Sequence, residues 1–84
     1  MRIEILGMGC AKCKQLMANA EKAVREAGVV AEVVKVEDMD KIVGYGIMTT
    51  PAVVIDGKVR TAGKMLSVEE LKKLFVQASM EHGQ

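Results

Sequence analysis

Thr50-Pro51-Ala52-Val53-Val54-Ile55-Asp56-Gly57-Lys58-Val59-Arg60-Thr61-Ala62 is the stretch on which the fold turns. Pro51 precedes a continuous apolar run from Ala52 to Ile55, Asp56-Gly57 is a strong two-residue hairpin turn, and Lys58 to Ala62 returns as the partner strand. An antiparallel hairpin therefore sits late in the chain. Downstream of it, Ser67 and Glu70 form an S-x-x-E capping box, with Leu66 and Leu71 spaced as a hydrophobic staple. Leu71, Leu74, Phe75 and Ala78 then recur as the buried stripe of a closing helix. The tail from Met80 to Gln84 is expected to fray.

Upstream, Ile3, Ile5 and Leu6 predict a strand from Arg2 to Leu6 that ends at Gly7-Met8-Gly9. The period then changes. Leu16, Met17, Ala20, Ala23, Val24 and Ala27 share one stripe of an amphipathic helix, and Gly28 supplies its stop. Val29 to Val36 is too short and too rich in β-branched residues for a helix and reads as a second strand. Asp38 to Val43 places Met39, Ile42 and Val43 at helical spacing before Gly44-Tyr45-Gly46. The order is β-α-β-α-β-β-α. A strand, helix and strand in succession imply a parallel pair with a right-handed crossover. Adding the hairpin gives an α/β architecture, a four-stranded mixed sheet with helices on both faces.

Composition narrows the function. A length of 84 residues is expected to form one domain, 1–84, with a single small core. With 12 Lys+Arg against 11 Asp+Glu, one Tyr, one Phe and no Trp, there is neither a charge footprint nor a stacking platform for nucleic acid. No apolar run approaches the length of a membrane span, and Met1-Arg2-Ile3-Glu4 does not look like a signal peptide, so no membrane partner is expected and the cytoplasm is the default compartment.

The two cysteines, Cys10 and Cys13, are spaced C-x-x-C. A disulfide closing so short a loop is a poor staple, because its stabilisation grows with loop length. In a reducing compartment such a pair points to redox chemistry or metal binding. Cys10 follows a glycine-rich turn and begins the first helix, where unpaired N–H groups and the helix dipole stabilise a thiolate. Free cysteine titrates near about 8.5, and C-x-x-C cysteines at helix starts fall to roughly 3.5–7.5. Lys12 and Lys14 add positive charge. Cys13, one turn later, reaches back to the sulfur of Cys10. This spacing makes Cys10 the nucleophile and Cys13 the resolving thiol.

Cys10-Ala11-Lys12-Cys13 at a strand-to-helix junction, Thr50-Pro51 opening a strand, and the Asp56-Gly57 hairpin followed by Gly63 and a final helix resemble the thioredoxin superfamily. Gly7-Met8-Gly9-Cys10-Ala11-Lys12-Cys13 with Thr49-Thr50-Pro51 is more closely similar to its small "redox-active disulfide protein 2" group, the glutaredoxin-like small thioredoxins. The resemblance covers nearly the whole chain. It implies a monomeric disulfide oxidoreductase without a cofactor or metal, acting on disulfide-containing protein substrates and recharged by a thioredoxin-reductase-type electron donor. It also implies a cis Pro51 facing the disulfide and Thr50 peptide groups that pair with an extended substrate segment. Gly63 would permit close backbone approach near Pro51. Met8, Tyr45 and Met48 would supply apolar contact around the sulfurs, with a plain core role equally open for Met48.

Glu4 corresponds to the buried acid that many thioredoxins carry six residues before the first cysteine. That would make Glu4 a proton shuttle for Cys13, although an exposed glutamate at a strand start is the favoured expectation for a charged side chain. His82, in the tail, is assigned no chemistry. The chain departs from the usual pattern in lacking a Trp before Cys10 and a Gly-Pro between the cysteines. A thioredoxin-like potential near about −270 mV is therefore not transferable.

The G-M-x-C-x-x-C pattern also resembles heavy-metal-associated domains and copper chaperones, where two thiolates hold a soft ion such as Cu(I). Those ferredoxin-like domains finish on a strand and place their second helix where this chain has the Asp56-Gly57 hairpin. The order of elements favours the thioredoxin reading. A glutathione-using glutaredoxin shares the fold, but no charged constellation specifies the tripeptide.

Overall fold

A computed structural model describes residues 1–7 and 11–82. The elements are β1 (Arg2–Leu6), α1 (Ala11–Ala27), β2 (Glu32–Val36), α2 (Met39–Gly44), β3 (Ala52–Ile55), β4 (Lys58–Ala62) and α3 (Val68–His82). They form one four-stranded sheet in the order β2-β1-β3-β4. β1 runs parallel to β2 and antiparallel to β3, and β4 is antiparallel to β3.

Strand alternation divides the core between the two faces of this sheet. Ile3, Ile5, Val53 and Ile55 meet Leu16, Ala20 and Ala23 of α1 and Leu71, Phe75 and Ala78 of α3. On the opposite face Leu6, Val36, Ala52 and Val54 pack with Ile42 of α2 and with Ile47, and Tyr45 lies against them. Because helices cover both faces, β3 is buried along its whole length, which is why it reads as an uninterrupted apolar run.

The turn signals act as local chemistry requires. Asp56 and Gly57 both have positive φ, at 50° and 84°, the requirement of a type I′ hairpin. Asp56 also accepts a hydrogen bond from the Arg2 amide at 2.8 Å, tying the hairpin to the start of β1. At α3, Ser67 Oγ accepts from the Glu70 amide and Glu70 Oε1 accepts from the Ser67 amide, at 3.2 and 3.0 Å.

Three boundaries differ from the sequence reading. β2 begins at Glu32, three residues later than Val29. Its partner β1 starts at Arg2, which pairs with Glu32, so residues 29–31 have no strand beside them and Val30 is 92% exposed. Asp38 is the N-cap of α2, with its side chain accepting from the Asp40 amide, so the helix starts at Met39 and extends to Gly44. α3 runs on through His82, past Met80 where fraying is expected from sequence; Arg60 Nη2 donates to Glu81 Oε1 at 2.9 Å and links that last turn to β4. Among the described residues, no helix is long and apolar enough to cross a membrane.

Candidate active site

The candidate site lies where β1 ends and α1 begins. Met8, Gly9 and Cys10 fall outside the described residues, so the nucleophile assignment rests on sequence. Cys13 sits in the first turn of α1 and is only 3% exposed. Its sulfur rests on Gly7: a β-carbon built there would collide with Cys13 Sγ. Any other residue at position 7 would displace the thiol. Gly7 is itself fixed by its amide, which donates to the Val36 carbonyl of β2 at 3.0 Å. The first turn of α1 holds no acidic residue, and Lys12 and Lys14 are exposed there, so the local field is positive.

Leu6 pairs with Ala52, which brings the neighbours of both residues, Gly7 and Pro51, to the same end of the sheet. The Thr50–Pro51 peptide bond is cis. Pro51 is buried and Thr50 exposed. Behind it, the Gly63 amide donates to the Pro51 carbonyl at 2.8 Å. Gly63 has φ of 76°, and a β-carbon there would come 2.8 Å from Thr49 Oγ1. Close approach at Gly63 is thus a feature of the structure.

Glu4 departs from the favoured expectation. It is 9% exposed rather than a solvated strand-start residue, because β1 is an inner strand covered on both faces. Both carboxylate oxygens are occupied. Tyr45 donates its hydroxyl to Oε1 at 2.5 Å, and Arg2 Nε donates to Oε2 at 3.3 Å. Arg2 in turn reaches Glu32 across the parallel pair. The hydrogen bond to Glu4, then burial, raises the proton affinity of the Tyr45 phenol above its ordinary value.

One further reading changes. Met48 is 95% exposed and is not core. Tyr45 commits its hydroxyl to Glu4, a contact 41 residues away in sequence that no local pattern announces. The seat of Cys13 on Gly7 is likewise absent from the sequence reading, although its signal was present: a glycine six residues before the second cysteine.

A helix-start cysteine beside an X-Pro strand opening, on a β-α-β-α-β-β-α sheet, defines a thioredoxin-fold protein. The family model described as "Thioredoxin domain" matches residues 1–76. The chain is 42% identical over 75 residues to a thioredoxin of Methanothermobacter thermautotrophicus, covering 89% of this chain and 97% of that one. It is 45% identical over 71 residues to a thioredoxin of Methanocaldococcus jannaschii, covering 84% and 81% respectively. The chain belongs to the thioredoxin family, a family of thiol-disulfide oxidoreductases.

Proposed function

We propose that the chain is a single-domain, monomeric, cytoplasmic oxidoreductase that reduces protein disulfides through Cys10 and Cys13. The observation that carries this reading is the buried Cys13 thiol, seated on Gly7 at the sheet end that also bears Thr50 and Pro51.

Cys10, as thiolate, attacks one sulfur of a substrate disulfide. A Cys10–substrate bond forms, the substrate bond breaks, and the first substrate thiolate leaves and takes a proton from water. Cys13 then loses its proton and attacks Cys10 Sγ. The Cys10–Cys13 bond forms and the second substrate thiolate departs, so two electrons have passed to the substrate. Glu4 is the proposed proton acceptor in this second step. Glu4 lies on the inner strand β1, three residues before Gly7, on which the Cys13 sulfur rests. Thr50 pairs its backbone with an extended substrate segment while Pro51 packs beneath it. A thioredoxin-reductase-type donor returns the pair to the dithiol.

The soft-metal alternative draws its support from the G-M-x-C-x-x-C pattern alone. The terminal α3 and the β3–β4 hairpin do not belong to a ferredoxin-like domain.

The test is reduction of insulin or dithionitrobenzoate. Cys10→Ser is expected to eliminate activity, and Cys13→Ser to accumulate a mixed disulfide on Cys10 detectable by mass. Retained turnover in Cys10→Ser would sink the nucleophile assignment.

A further inference from the structure

The mechanism above does not use Tyr45, yet this residue makes the shortest contact to the buried acid. It follows α2 directly, where its amide bonds to the Lys41 and Ile42 carbonyls, and it packs against the buried cluster on this face of the sheet. The backbone and the ring are therefore fixed before the hydroxyl reaches Glu4 Oε1. Beside them opens a depression of about 320 Å³ lined by Glu4, Lys41, Gly44 and Tyr45.

A carboxyl that takes up and releases a proton changes from acceptor to donor at one oxygen. An amide or guanidinium N–H can satisfy only the ionised form, because it cannot accept. A hydroxyl serves both forms: it donates to the carboxylate and accepts from the carboxylic acid. Tyr45 is such a partner, and Arg2 on the other oxygen is not. Among the described residues, the other charged groups at this site are Glu32 on β2, which engages Arg2, and Lys41 on α2; β3 presents Val54 opposite Glu4.

We propose that Tyr45 is a positioning residue for the resolving step: its hydroxyl holds the Glu4 carboxyl in both charge states, and the depression beside it is where the proton passes to water. The inference rests on the proposed role of Glu4 as acceptor for the Cys13 proton. The balance is simple. Cys13 loses a proton and Glu4 gains it, the Glu4 proton then leaves to water, and no electron moves through Tyr45.

The experiment follows the release of thionitrobenzoate from dithionitrobenzoate in stopped flow across pH. The first phase reports attack by Cys10, and the second reports resolution by Cys13. Tyr45→Phe is expected to lower the ratio of second-phase to first-phase rate about tenfold and to displace its pH profile, and Glu4→Gln to lower it by about 10². The double variant should be no slower than Glu4→Gln alone, since both act through one proton transfer. The chain has one tyrosine, so growth on 3-fluorotyrosine changes this site alone. That substitution retains the hydroxyl and should displace the second-phase profile even if Tyr45→Phe folds poorly. A slow second phase in Glu4→Gln with an unchanged profile in both Tyr45 variants would overturn the inference and leave the shuttle intact. An unchanged second phase in Glu4→Gln would overturn both, and loss of the first phase in neither cysteine variant would remove the underlying reading.

Discussion

The sulfur of Cys13 occupies the space where Gly7 would carry a side chain. Gly7→Ala forces a methyl group into that thiol, and neither neighbour yields easily: Gly7 is bonded to β2, and Cys13 is itself buried in the first turn of α1. Overpacking of this kind costs about 1–3 kcal/mol. The variant should show a lower urea midpoint and altered alkylation of Cys13. Wild-type values for both would contradict the packing described.

Tyr45 offers a titration that reads its hydrogen bond directly. Its phenol should ionise above the ordinary 10.0, chiefly because it donates to Glu4, and tyrosinate absorbance should shift back toward that value in Glu4→Gln. A folded-state value above the unfolded one means that the native state holds the proton longer. The associated stability is fully present below 10.0 and is lost as pH rises through the raised value. Identical titrations in the two proteins would contradict the assignment.

The capping box of α3 should respond to both mutation and acid. Ser67→Ala is expected to cost about 1 kcal/mol, read from denaturant midpoints. The Ser67 amide, and then its hydroxyl, hold the Glu70 carboxyl below its ordinary 4.5. This contribution is present above 4.5 and disappears as pH falls through the depressed value. Glu70→Gln should flatten that part of the stability profile, and an unchanged acid limb would argue against the box.

At Gly63, backbone and side-chain effects can be separated. Its φ of 76° lies in the left-handed region, where a β-carbon costs about 1–2 kcal/mol. Contact with Thr49 Oγ1 adds to that in Gly63→Ala. In a Thr49→Ala background the penalty should fall toward the backbone part alone. Equal penalties in both backgrounds would show that Thr49 moves aside freely.

The order of elements was legible because each boundary carries a local device: the Asp56-Gly57 turn, the Ser67/Glu70 box, Gly28 after α1. Where a boundary depends on a partner it was not. Val29 to Ala31 look like strand, but β1 offers nothing beside them. Glu4 shows the same limit at the candidate site. Its charge argues for exposure, and only the inner position of β1, with donors from Arg2 and Tyr45, makes burial affordable. The cysteine spacing and Thr50-Pro51 were visible as motifs, whereas the Gly7 seat and the Tyr45 contact arise from folding distant segments together.

In the sheet order β2-β1-β3-β4, the strands that lead to Gly7 and Pro51 are the two inner ones. Edge strands and helix ends open by local fluctuation, but amides of inner strands exchange with solvent chiefly when a whole cooperative unit opens. Gly7 and Pro51 thus adjoin the two strands expected to exchange most slowly. Protection of the β1 and β3 amides and persistence of the reactive geometry should therefore share one lifetime.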